Sequence, residues 1–437
     1  MNFADPLANG PNAVRSIPSS RWRLNLIWWI WLIALSALMF ISFSQTNAVI
    51  VFTAAVIMCG IARPHDAFNA ILNSKCLWPF LVYAALSLIW SQAPDLTARG
   101  VTQLIFTVGA AALVAQALSP KSFVSVVFGS CLTATVASIL YLGPELIVQW
   151  RSGYPVQGIF GGSKNQFGAV EALLILGGFY FVLDRTRSPM TRMLTIACVC
   201  LAAILLISSR SATAVWALAP ALICSGAAYF LVKFSPRWRA TILLSVFAVS
   251  VVLTAMIIPV MENAFSLFLD ASGRDATLTG RTMLWSWADR LIADKPILGF
   301  GYRAFWVVGN PYAEEIWREM GFGRPLGIHF HNQWYEITVQ LGYVGLALAL
   351  LTFLIVLIEV ARWAVRAPSP ESCFFLGFLV DTAIRTYVEV DLFAQYSLGF
   401  IIFIASYVYA RRERGKRANR ATSKSAISRG RALRSSL

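Results

Sequence analysis

The chain reads as an all-α polytopic membrane protein, with about twelve transmembrane helices and one large outer loop that carries short amphipathic helices. Three observations predict this. Hydrophobic residues make up 58% of the 437 residues and charged residues only 13%, against roughly 45–50% and about 25% in a soluble globular chain. Apolar runs of about 17 to 25 residues, the length needed to cross a hydrocarbon core of about 30 Å, recur along almost the whole sequence. The Lys and Arg residues between those runs are shared unevenly between alternate loops.

In chain order, residues 1–23 are polar and no small-residue cleavage site follows the first apolar run, so the first helix is expected to be retained rather than removed as a signal. Nine helices are expected within 24–260, at 24–43, 46–62, 76–91, 100–118, 122–142, 166–183, 191–208, 211–232 and 240–260. Only Ser209 and Arg210 divide the seventh from the eighth. The loop 261–334 follows, then three helices within 335–410, at 335–358, 373–389 and 392–410, and a basic tail over 411–437. Each run must be helical, because backbone polar groups in lipid need internal partners and a barrel would show short alternating segments.

Orientation follows from the basic residues. With the N-terminus inside, the inner segments hold most of them, from Arg15, Arg21 and Arg23 to Arg362 and Arg366, while the short outer loops carry only Arg99, Arg151, Lys164, Arg210 and Arg385. That bias places both termini in the cytoplasm. The net charge of +15 therefore reads as topology and contact with anionic lipid, not as nucleic-acid binding. The tail from Arg411, rich in Ser, Ala and Gly and without apolar periodicity, is expected to be a disordered anchor.

Cys59, Cys131, Cys198, Cys200, Cys224 and Cys373 fall in or at the edge of helices, Cys76 opens one, and none lies in the large loop. That loop must be held by packing rather than by disulfides. No internal repeat stands out, and the loop breaks any division into two equal halves, which lowers the case for a transporter of the two-halves type.

The outer face carries the candidate chemistry. Arg210 stands in S-S-R-S-A-T-A at a membrane boundary, as an anion clamp or as a hairpin-capping arginine. Arg281 opens an amphipathic stretch in which Met283, Leu284, Trp287, Leu291 and Ile292 recur at helical spacing, as in a helix lying in the interface. His329 and His331 precede the tenth helix. An open metal site needs a third ligand, which a carboxylate could supply; a neutral imidazole acting as general base is the stronger reading. Phosphate-cradling G-x-x-x-x-G-K-[ST], G-x-S-x-G and H-E-x-x-H are all absent. Glu389 and Asp391 form an acidic pair near the outer surface, which reads as a solvated helix end with Glu389 paired to Arg385 at i,i+4. Several arginines, one imidazole and a membrane boundary without a nucleotide site suit a lipid-linked diphosphate donor, whose stable polyanionic leaving group arginines can neutralise while a base serves the acceptor hydroxyl.

The ordered motifs S-R-S (Arg210), G-R-T-x-x-W (Arg281, Trp285), K-P-I-L-G-F-G-Y-R-A-F-W (Pro296, Gly299, Gly301, Arg303) and H-N-Q-W-Y-x-x-x-x-Q-L-G-Y-V-G (His331, Asn332, Gly342, Gly345) resemble the O-antigen ligase and Wzy polymerase superfamily. The G-F-G-Y-R-A-F-W run and R-x-x-x-E (Arg385, Glu389) are most similar to exopolysaccharide polymerases of the ExoQ type.

The resemblance implies a metal-independent, inverting glycosyltransferase of the bacterial inner membrane, without cofactor and with a periplasmic site. His331 would activate the acceptor hydroxyl, and Arg210 and Arg281 would hold undecaprenyl pyrophosphate. Asn332, Lys164, Asn165, Arg303 and Arg385 are expected to bind substrate, Lys164 and Asn165 through G-G-S-K-N-Q, which resembles an outer-loop Asn motif of the family. Gly299 and Gly301 read as turn-formers. The implied partners are the lipid-linked oligosaccharide donor and acceptor, the bilayer, and a chain-length regulator and flippase of the same pathway. The rivals are a ligase delivering glycan to lipid A core, and a flippase or transporter whose path Glu171 and Asp381 would mark.

Overall fold

The computed structural model describes residues 19–249, 252, 277–321 and 328–435. All regular elements among them are helical: α1 (Ser19–Met39), α2 (Gln45–Ala62), α3 (Pro64–Asn73), α4 (Trp78–Leu86), α5 (Pro94–Ala117), α6 (Pro120–Leu142), α7 (Glu145–Ser152), α8 (Lys164–Leu183), α9 (Pro189–Ser208), α10 (Ala212–Phe230), α11 (236–249 as described), α12 (Thr277–Asp294), α13 (Pro311–Glu319), α14 (Gln333–Arg366), α15 (Pro370–Arg385) and α16 (Leu398–Ser435), with short 3-10 turns between some.

Seven of these are long and apolar enough to cross a membrane, or eight if the pair 64–70 and 75–89, bent by 46°, is one span. The chain is an integral membrane protein. The expected twelve spans are not all met as long continuous helices among the described residues. Residues 75–89 are split into α4 and two flanking 3-10 turns, so the run at 76–91 is a broken element. The ninth predicted span, 240–260, and the large loop lie partly outside the described residues.

Three boundaries differ from expectation for physical reasons. The segment 373–389 stops being helical at Arg385, and α16 starts at Leu398 rather than 392, because 386–397 folds as a loop in which Phe393 and Tyr396 take positive φ. Its residues are apolar enough to pass for membrane, yet the loop turns inward and buries Leu392 and Phe393 in the protein. The basic tail, expected to be disordered, continues α16 as helix to Ser435. It contains no Pro, and its many Ala, Arg and Lys residues are good helix formers.

α8 and α5 run through the interior, while α9 and α2 keep most of their surface outside it. α10 packs on α15, α8 on α9, α1 on α2 and α6, and α16 on α5 and α14. Phe123, Phe375 and Tyr409 join α6, α15 and α16, with ring centroids 6.1 Å and 5.5 Å apart along that chain. Glu171 accepts from Thr135 at 2.9 Å inside the bundle, and Asp381 sits 3.8 Å from Arg385.

Helix α12 buries Leu284, Trp287, Ala288, Leu291 and Ile292 against Phe300, Phe305, Ile316, Trp317 and Phe330. Its apolar face therefore meets a second protein core, not the lipid interface alone. Full burial of each large side chain contributes about 1.5–3 kcal/mol, and among the described residues all seven cysteines are free. Packing holds this part of the loop.

The feature that positions the site is a break in α14. At Gly342 the backbone takes φ 65° and ψ −171° inside the 34-residue helix. The segment 296–301 laces into the gap: Phe300 N donates to Val339 O at 3.0 Å, Gly301 N to Gln340 O at 2.8 Å, and Tyr343 N to Pro296 O at 2.7 Å. Tyr83 and Trp90 donate to carbonyls of the same junction, at Leu341 O and Leu298 O. The polar groups freed by the break are thus satisfied within the protein, as broken membrane helices require. Only glycine fits at 342, since a Cβ there would lie 2.0 Å from Ile297 O. The first turns of α14, over 333–341, form a separate short helix whose start carries the His-Asn-Gln sequence.

Candidate functional site

The H-F-H segment is a non-helical approach to α14 that ends in a left-handed turn at His331. Phe330 points into the second core, packing on Phe305 and Trp306, while His329 and His331 share the other side with ring centroids 4.2 Å apart. Phe330 is pinned at both backbone groups: its N–H donates to Glu336 Oε2 at 3.0 Å and its carbonyl accepts from Trp285 Nε1 at 2.9 Å. Arg281 lies one turn before Trp285 on α12. The G-R-T-x-x-W spacing therefore places an anchor and a cation on one helix face.

Glu389 is the hub. It is only 8% exposed, and its Oε1 takes Asn165 Nδ2 at 2.5 Å and Arg281 Nη2 at 3.3 Å. Its Oε2 stands 3.9 Å from His331 Nδ1, a buried nitrogen with no hydrogen-bond partner. Burial, reinforced by Asp391, pushes the Glu389 carboxyl up to about 7 despite Arg281. Burial and the neighbouring His329 and Arg281 push His331 down to about 3, and burial with Arg281 and Arg303 pushes His329 down to about 4. Both imidazoles are neutral at neutral pH. His329 Nδ1 accepts the His331 backbone N–H at 3.0 Å, which assigns any proton on a neutral His329 ring to Nε2.

Asn165 extends the hub toward Arg210. Its Oδ1 accepts from Ser211 Oγ at 3.1 Å, and Ser211 is the N-cap of α10. Arg210 occupies the turn between α9 and α10 with φ 53°. Its guanidinium lies against Gly153, where a Cβ would come within 2.9 Å of Nη2. Lys164, at the first position of α8, feels the charges of Arg281, Arg210 and Glu389. Arg303 is exposed at φ 61°, and its N–H donates to Gln340 Oε1 at 2.8 Å. His331 has φ 49°. Three of the residues singled out from sequence thus adopt a backbone conformation rare outside glycine, which costs about 1–3 kcal/mol each and concentrates at functional sites.

The structure brings Arg281, His331, Lys164, Asn165 and Arg210 together at one end of the bundle, with Arg303 close enough to act on His329. Two of the expected substrate ligands have other partners. Asn332 caps α14, its Oδ1 accepting from Trp334 N and Tyr335 N at 2.9 and 3.2 Å. Arg385 is held by Asp391 at 2.5 Å and Asp381 at 3.8 Å. The expected Glu389–Arg385 side-chain pair does not form, and Glu389 is not a solvated helix end. A helix-like turn persists past the end of α15, with Glu389 N donating to Arg385 O at 2.8 Å, but the Arg385 guanidinium is taken by Asp391 and the Glu389 carboxylate turns inward to Arg281. Sequence alone had no signal for this beyond the R-x-x-x-E spacing.

Gln333 also escaped notice. Its N–H donates to Thr386 O at 2.9 Å and its Oε1 accepts from Leu392 N at 2.8 Å, so one residue clamps the loop that carries Glu389 to the segment that carries His331. A metal is geometrically conceivable, since donor atoms of His329, His331 and Glu389 lie within 4.8 Å of one another. A cation there would sit beside Arg281, which already pairs with Glu389 Oε1, and near the further basic side chains Lys164, Arg210 and Arg303. The charge pattern favours an anion.

A family model described as O-antigen ligase matches residues 172–350, a span that contains Arg210, Arg281, Arg303 and His331. The chain is also 29% identical over 334 residues to the exopolysaccharide production protein ExoQ of Rhizobium meliloti (strain 1021), covering 76% of this chain and 75% of that one. The resemblance read from the motifs is borne out by both comparisons.

Proposed function

With kinship to the O-antigen ligase family as its premise, we propose that this integral membrane protein is a glycosyltransferase that polymerises exopolysaccharide repeats. It joins lipid-linked units at the outer face of the bacterial inner membrane, with both termini in the cytoplasm. The observation that carries this reading is the convergence of Arg281 and His331 on the buried Glu389, tied through Asn165 and Ser211 to Arg210.

Arg210, Arg281 and Lys164 receive the diphosphate of an undecaprenyl-linked donor, where guanidinium contacts are charge-assisted and can be bidentate. Arg303, exposed beside His329, contacts the glycan or the second phosphate. His331 takes the proton of the acceptor hydroxyl as that oxygen attacks the anomeric carbon. The bond from that carbon to the diphosphate breaks, the glycosidic bond forms with inversion, and the carrier leaves as a diphosphate anion. His331 is depressed because burial, His329 and Arg281 all oppose imidazolium. A bound diphosphate offsets those cations, and the Glu389 carboxylate opposite Nδ1 stabilises the imidazolium as it forms. Substrate itself therefore raises the basicity of its base. No step requires a metal.

Purified protein supplied with a lipid-linked repeat should yield a ladder of longer lipid-linked glycans. Arg281→Ala and His331→Ala should each abolish it at unchanged protein level. Undiminished polymer length and yield in either variant would overturn the assignment.

The ligase reading is favoured by the description of the matching family. It differs in its acceptor, lipid A core. Cells lacking a polymerase accumulate single repeats on carrier lipid, whereas cells lacking a ligase accumulate long unattached polymer, and that comparison separates the two.

A further inference from the structure

At the end of the bundle opposite the Glu389 cluster, two adjoining cavities of about 340 and 490 Å³ share Trp363, Ala367, Glu413 and Arg417. The smaller lies between the last turns of α14 and the part of α16 near 410–418, and the larger reaches the first turn of α6 at Ser119–Lys121. Several cations around them are already paired. Glu359 takes Arg414 at 2.7 Å and Arg362 at 3.5 Å, Lys416 pairs with Glu413 at 2.6 Å, and Lys121 with Asp184 at 2.9 Å. Arg366 and Arg417 have no carboxylate within ion-pair distance among the described residues, yet Arg417 reaches over to donate to the Arg366 carbonyl. Two guanidinium-bearing residues are thus gathered at one cavity wall beside an apolar floor of Trp363, Ala367 and Ala410.

We propose that this cavity is a binding site for the phosphate of an anionic phospholipid headgroup. Arg366 and Arg417 would supply charge-assisted donors to the phosphate. The Trp363 ring and the two alanines would face the glycerol and the first acyl carbons, where a free phosphate would gain nothing. Basic pockets between membrane helices bind such headgroups, and a Lys or Arg beside anionic lipid contributes about 1 kcal/mol. The inference does not depend on the catalytic reading, since it uses no residue of the site above.

The test uses the full-length protein in detergent, titrated with fluorescent phosphatidylglycerol and, separately, with phosphatidylcholine, and examined by native mass spectrometry for retained lipid. The expected result is saturable phosphatidylglycerol binding that weakens roughly 30-fold in Arg366→Gln/Arg417→Gln, the fold-change for two cations. Lys233→Gln, which removes an exposed charge from the same end, should leave affinity unchanged. An equal loss in Lys233→Gln would mean bulk electrostatics and would overturn the site. Competition by millimolar inorganic phosphate would reassign it to the free anion. Absence of saturable binding in a wild-type protein that elutes as a single folded species would show that these arginines only cap the end of α14. Glycan polymerisation is not read in any arm, so loss of the functional proposal would leave this result standing.

Discussion

Replacing Glu389 by glutamine should move catalysis and stability in opposite directions. The carboxylate stands 3.9 Å from His331 Nδ1, and two unit charges at that distance interact by about 4 kcal/mol at an effective dielectric of about 20. Screening around a half-buried ring roughly halves this, so Glu389→Gln should lower kcat about 30-fold. Stability follows the other sign. The Glu389 carboxyl is raised from 4.5 to about 7, so its contribution to folding is complete below about 4.5 and is lost as pH rises through about 7. At pH 8 the native protein carries the whole cost of a buried charge, on the order of 3 kcal/mol, and the neutral amide carries none. Glu389→Gln should therefore melt higher than the wild type at pH 8 and close to it at pH 4, while turning over lipid-linked repeats more slowly. Turnover measured against substrate concentration, with thermal melts at both pH values, checks both halves. A variant that is less stable at pH 8 and correspondingly less active would refute the argument, because it would make Glu389 a structural counter-ion to Arg281.

Other perturbations test other parts of the arrangement. Arg210→Lys keeps the charge but loses bidentate geometry, so kcat/KM for a lipid-linked donor should fall about 10- to 100-fold; unchanged donor affinity would remove Arg210 from the diphosphate site. Gly342→Ala forces a Cβ onto Ile297 O and should lower the melting temperature sharply or prevent membrane accumulation, whereas Gly415→Ala, in open space on α16, should do neither. Polymerisation should survive dialysis against a chelator without change, and activity that returns only on adding a divalent cation would reinstate His329, His331 and Glu389 as metal ligands.

Much of the site was legible in the sequence because its cations are conspicuous where charge is scarce. Arg210 interrupts two apolar runs, and Arg281 and His331 open amphipathic and apolar segments in turn, so their isolation pointed to them. Glu389 was hidden by the same logic in reverse. The stretch V-E-V-D-L-F-A-Q-Y is apolar enough to extend a predicted helix through it, and only the three-dimensional loop turns its carboxylate inward. The break at Gly342 is equally silent, since Leu341 and Tyr343 keep hydropathy high across it and the hydrogen bonds that compensate come from residues more than forty positions earlier. Span counting suffered likewise: a run of apolar residues reports burial in lipid or protein alike, so residues 75–89 and the start of the last predicted span read as membrane helix where the chain in fact bends.

The discontinuity at Gly342 has a mechanical side. A bilayer that thickens or thins makes a long span change its inclination, and an unbroken rod would carry that rotation straight to whatever sits at its tip. Here the rod is jointed. The first turns are fastened to the 296–301 strap and, through Gln333, to the 386–392 loop, so the portion after the joint can lean with the lipid while the imidazole at residue 331 stays in register with its carboxylate.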